Sequence, residues 1–140
     1  MEHIVGPLHQ LPVFFRNGLY RLWRSGLSDA ELQLAAKRCR QWIARARKNG
    51  YGTCECPCGT KLSVDTKNNQ GISIWCLDHC EYTKTFRGIL HESCNREVGS
   101  GDRQRKIGHS NYVLAHEARV QQDAPVITWQ EEFPAPGVLD

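Results

Sequence analysis

The chain has no apolar run near the roughly 20 residues that a membrane-spanning helix needs, so a membrane protein is not expected. Its start, Met1 to Pro7, lacks a basic stretch followed by an apolar core. It therefore does not read as a secretion signal, and a cytoplasmic location is the expectation. A strong charge of either sign is missing too, since 18 Lys and Arg against 15 Asp and Glu leave +3, too little to name a partner. After Val120 there is no Lys or Arg at all, while Asp123, Glu131, Glu132 and Asp140 follow among prolines. That composition predicts an extended acidic tail over 123–140. The seven cysteines are not an even set, and without an export signal they point to metal ligation rather than disulfides.

The 140 residues, 40% apolar and 24% charged, describe one soluble domain with a small appendage. Nine Lys or Arg fall between Arg16 and Lys48 against Asp29 and Glu31, so residues 1–50 form a basic, mainly helical segment suited to a phosphate backbone. Ser28-Asp29-Ala30-Glu31 has capping-box spacing, Leu32, Ala36, Cys39, Ile43 and Ala46 recur at three- and four-residue steps, and Asn49-Gly50 supplies a stop. A helix over 28–48 follows. Its other side carries Arg40, Arg45 and Lys48, candidates for DNA contact on a face that would otherwise be solvated. Leu11 to Leu27 is ambiguous: Asn17-Gly18 permits a hairpin, while Phe14, Leu19, Leu22 and Trp23 permit the helix we favour.

Three cysteines in five residues, Cys54, Cys56 and Cys58, form a metal half-site in which Cys54-x3-Cys58 has ordinary knuckle spacing. Cys56 stands as an alternative to Cys54. Gly71 to Leu77 then reads as a strand ending at Asp78 and His79, and Lys84 to Arg87 as a second, with Gly88 easing a bend before a helical turn near His91 to Asn95. Two strands and a helix would return Asn95 towards Asp78 and His79. A carboxylate and a carboxamide suit a hard cation such as Mg²⁺, which makes Asp78 and Asn95 its candidate ligands. His79, an imidazole titrating near neutrality, is the candidate general base.

From Asp78 to Gly99 the chain reads D-H-x3-T-x3-R-G-x-L-x3-C-N-x3-G, which resembles the core signature of the recombination endonuclease VII family of phage nucleases. The resemblance covers about Cys54 to Gly99, a third of the chain. It implies an α+β, ββα-metal (His-Me finger) core over 51–100 held by structural zinc, with Mg²⁺ or Mn²⁺ on Asp78 and Asn95 and His79 as base. It further implies cleavage of branched or duplex DNA leaving a 5′ phosphate, in the host cytoplasm if the chain is phage-encoded. The zinc set it suggests is Cys54, Cys58, His91 and Cys94, with His91 replacing a family cysteine. Glu81 stands where the family carries a second histidine. Arg87 becomes a phosphate-holding candidate, although a pairing with Glu92 or Glu97 is also open.

A rival reading pairs Cys54-x3-Cys58 with Cys76-x3-Cys80 as a zinc ribbon, a nucleic-acid-binding module without chemistry. Beyond the core, 101–122 reads as a basic joint, with Arg103 and Arg105 near DNA, and a short helix over Asn111 to Gln122. That helix is short for a homodimer interface, and a phage or host partner could dock on the tail through Trp129 and Phe133. His3, His9, His109 and His116 lack partners at ligand spacing and are expected on the surface.

Overall fold

Helix α2, Val13–Arg24, settles the ambiguous amino-terminal stretch. Phe15, Leu19 and Leu22 recur at helical spacing and are fully buried, while Trp23 stays half-exposed. Gly18 lies inside the helix, where an added Cβ would come within 2.8 Å of the Leu77 side chain. The missing side chain thus allows close contact with a strand. A computed structural model describes residues 1–56, 58–98 and 107–123, and the fold that follows is mixed α+β.

A short helix α1, Glu2–Val5, and a 3-10 turn at Leu8–Gln10 precede α2. Helix α3, Asp29–Asn49, starts at Ser28, whose Oγ accepts the Glu31 N–H at 3.2 Å, and ends at Gly50 in the left-handed region at φ 82°. Only half of the expected capping box forms. The Glu31 carboxylate turns away from its own helix and accepts the Phe86 N–H at 2.8 Å and Arg119 Nη2 at 3.1 Å. Trp42 of α3 meets Phe15 edge-on at 5.3 Å and Trp75 at 4.8 Å, and donates its indole N–H to the Thr53 carbonyl. Each such aromatic pair adds about 0.5–1.5 kcal/mol beyond the area buried.

Two small antiparallel sheets follow. Strands β1, Gly52–Thr53, and β2, Lys61–Leu62, make one; β3, Trp75–Cys80, and β4, Thr85–His91, make the other. Helices α4, Glu92–Val98, and α5, Ile107–Asp123, complete the order. A two-stranded ribbon is marginal alone, and here α2 covers β3 while α3 packs on β4. Both faces of β4 are consequently apolar, with Phe86, Ile89 and Leu90 buried. One continuous cluster of buried apolar residues runs from Val5 to Val113, so the basic helical segment shares its core with the sheet.

Boundaries differ from the sequence reading at three elements, one of them α5, which begins at Ile107 rather than Asn111. β3 begins at Trp75 rather than Gly71, so Asp78 and His79 lie within a strand and not at its end. Ser73 makes only an isolated bridge to Lys67, and Ile72 is exposed. β4 also continues past Arg87 and Gly88 to His91 instead of ending at Arg87, with a register irregularity beside the glycine. Among the described residues no helix is long and apolar enough to cross a membrane.

Candidate functional site

The loop after β1 is fastened to β4 by backbone and side chain together. The Glu55 N–H donates to the Ile89 carbonyl at 2.9 Å, and its carboxylate accepts the Ile89 N–H at 2.8 Å and Arg38 Nη2 at 2.7 Å. This holds the cysteine loop against the strand that ends at His91, while Cys94 comes three residues later on α4. The ligand atoms of Cys54, Cys58, His91 and Cys94 all lie within 4.8 Å of one another. Three sulfurs and one imidazole nitrogen are the donor set of a structural tetrahedral site, so this cluster can hold a metal ion such as zinc. Burial pushes the Cys54 thiol up to about 12. Burial also works to raise Cys58, but hydrogen bonds with Cys56, Thr60 and Cys94 bring it down to about 7.

The ribbon set is not formed. Cys76 and Cys80 lie on β3 and line a different cavity. At roughly 3.3 Å per residue, four strand steps separate them by about 13 Å, too far for both to grip one ion. Their spacing imitates a knuckle in sequence only.

The second cavity, about 400 Å³, opens between α2, β3 and α4, and its lining includes Asp78, His79, Arg87 and Asn95. The pairing of β3 with β4 slips here: Asp78 faces Gly88 and His79 faces Phe86. Arg87 is therefore an extra residue at a β-bulge, and its guanidinium folds back over the junction. Nη2 donates to Asp78 Oδ1 and to the His79 carbonyl, each at 3.0 Å. Nε lies 2.8 Å from Asp78 Oδ2 as an ion-pair contact without hydrogen-bond alignment. Tyr112 of α5 donates its hydroxyl to the same Oδ2 at 3.0 Å. Arg87, expected to hold phosphate or to pair with Glu92 or Glu97, is thus committed to Asp78.

Gly88 makes the tyrosine contact possible. A Cβ there would sit 2.7 Å from the Tyr112 hydroxyl oxygen and 3.2 Å from Glu55 Oε1. Burial raises the Asp78 pKa, an effect that Arg87 and Tyr112 oppose. Burial lowers that of His79, against the pull of Asp78 and Glu81, which favours a neutral imidazole. Asp78 and Asn95 are hard oxygen donors of the kind a divalent cation prefers. Both oxygens of Asp78 are already engaged, Oδ1 by Arg87 and Oδ2 by Arg87 and Tyr112, so an ion there would share the carboxylate with the guanidinium.

Three contributors escaped the sequence reading. Arg21 of α2 lines the cleft. Tyr112 and Glu55 act from distant parts of the chain, and no local spacing marks them. His116 overturns an expectation outright: it is buried, with Nε2 at 2.9 Å from Thr85 Oγ1, because α5 lies along β4. Burial pushes this imidazole down to about 4, helped by Arg119, Arg87 and Arg38 and opposed by Glu31. A histidine whose folded pKa is below its unfolded value of about 6.5 loses stability as pH falls through that interval. Between pH 7 and 5 the protein should lose about 2 kcal/mol more stability than His116→Asn does. Urea unfolding at the two pH values measures the difference, and equal losses would remove His116 as the cause.

The basic face of α3 stands apart from the cleft. Arg40 Nη2 donates to the Pro7 carbonyl at 3.3 Å, Arg45 lies 4.0 Å from Glu55, and Lys48 is exposed; none of them lines the cavity. Arg103, Arg105, His109's side chain and the acidic tail lie outside the described residues. Comparison of the chain with protein-family models, curated proteins and solved structures finds no match.

Proposed function

We propose that the chain is a metal-dependent DNA endonuclease with a ββα-metal core, similar to the endonuclease VII family, whose reaction takes place in the cleft between α2, β3 and α4. The observation that supports this most is the convergence of Asp78, His79 and Asn95 on one cavity, although Asn95 comes from a different element. His79, held neutral by burial, accepts the proton of the attacking water. Arg87 orients that segment by gripping both the Asp78 carboxylate and the His79 carbonyl. Arg21 brings a positive charge to the cleft for the phosphate. Mg²⁺ or Mn²⁺, held by Asp78 and Asn95, would supply charge stabilisation at the scissile phosphate and the departing 3′ oxygen. Zinc on the Cys54, Cys58, His91 and Cys94 cluster would brace the fold.

A second reading draws on the Arg87 and Tyr112 contacts to Asp78, which suit a structural ion-pair network in a non-catalytic nucleic-acid-binding module. Incubation of the zinc-loaded protein with supercoiled, linear and branched DNA, with and without Mg²⁺, separates the two. Nicking that requires Mg²⁺ or Mn²⁺ is expected. Binding without strand scission in either metal would favour the module.

A further inference from the structure

Cys56, which the sequence offers only as a substitute for Cys54, has its sulfur among the others. It is buried, 3.6 Å from the Cys54 sulfur, 2.9 Å from that of Cys58 and 3.3 Å from that of Cys94. The Cys58 and Cys94 sulfurs are 3.4 Å apart. With metal–sulfur bonds of about 2.3 Å, two thiolates on one tetrahedral ion stand about 3.8 Å apart. The four sulfurs therefore lie close enough together to share one ion. His91 stands beside this group, with Nε2 at 3.9 Å from the Cys94 sulfur. Cys56 also accepts the backbone N–H of Cys58 at 3.4 Å.

We propose that Cys56 is a fifth metal-binding residue, giving the cluster two overlapping donor sets. A borderline ion takes Cys54, Cys58, Cys94 and His91. A thiophilic d¹⁰ cation takes Cys54, Cys56, Cys58 and Cys94, with His91 off the metal, because soft ions prefer thiolate to imidazole. The inference rests on the thiol cluster alone and not on nuclease activity.

Cadmium is the probe, applied to the full chain. The ¹¹³Cd resonance of the loaded protein should fall in the downfield range of four-sulfur sites. Cys56→Ser keeps three cysteines and His91, so it should still bind one ion, but with the resonance moved upfield and the cadmium–sulfur charge-transfer absorbance per ion lowered by about a quarter. A wild-type resonance in the three-sulfur, one-nitrogen range, or a Cys56→Ser spectrum identical to wild type, would overturn the proposal. Should Cys56→Ser fail to fold, the wild-type resonance decides alone.

Discussion

His79→Ala should lower the rate of DNA nicking by about 10²–10⁴-fold while leaving zinc content and thermal stability unchanged. The separation is expected because, among the described residues, the hydrogen bonds of His79 are made by its backbone and not its ring. Its carbonyl receives Arg87 at 3.0 Å, and its strand register opposite Phe86 is set by main-chain bonds, both of which alanine retains. The half-buried imidazole is left for the proposed proton transfer. Initial rates on supercoiled DNA, read beside metal analysis and melting, give the answer. A variant with full activity would end the assignment of His79 as base, and one that lost zinc as well would show the ring to be structural.

Removing the ion from the thiol cluster should cost several kcal/mol of stability. Coupled zinc binding and folding reaches on the order of 10 kcal/mol, against a total of about 5–15 kcal/mol for a typical domain. The cluster joins the Cys54 to Cys58 loop, the end of β4 and the first turns of α4, three segments with little sheet between them. Chelation or Cys94→Ser should abolish the near-ultraviolet signal of Trp42 and Trp75, which pack together beside that loop. Cys76→Ser and Cys80→Ser should keep zinc, since both thiols line the cleft instead. Zinc loss in either of those two would transfer the ion to a ribbon and discard the cluster.

Local patterns made part of this molecule readable. Helix α3 announced itself through Ser28, Gly50 and a long apolar period, and the thiol cluster through ligand types and spacing. The strand boundary at Trp75 was hidden because Ile72 and Ser73 have strand-like chemistry but pair with the preceding loop, where Asn68 Oδ1 accepts the Ile72 N–H and Ser73 bridges Lys67. The Asn17-Gly18 pair looked like a hairpin because glycine serves turns and close packing equally well. The partners of Asp78 were out of reach for another reason: Tyr112 lies 34 residues away and acts through a helix with no chemical signature. Glu31 likewise reads as a helix cap until Phe86, 55 residues later, claims its carboxylate.

The reach of Tyr112 across Gly88 bears on how small a working fragment can be. A peptide trimmed after Gly99 would contain the whole Asp78 to Gly99 pattern and every cluster thiol, yet it would strip the phenol from the buried Asp78. It would also unroof the strand that His116 and Arg119 cover. The smallest autonomous unit therefore extends through α5, well past the Asp78 to Gly99 pattern.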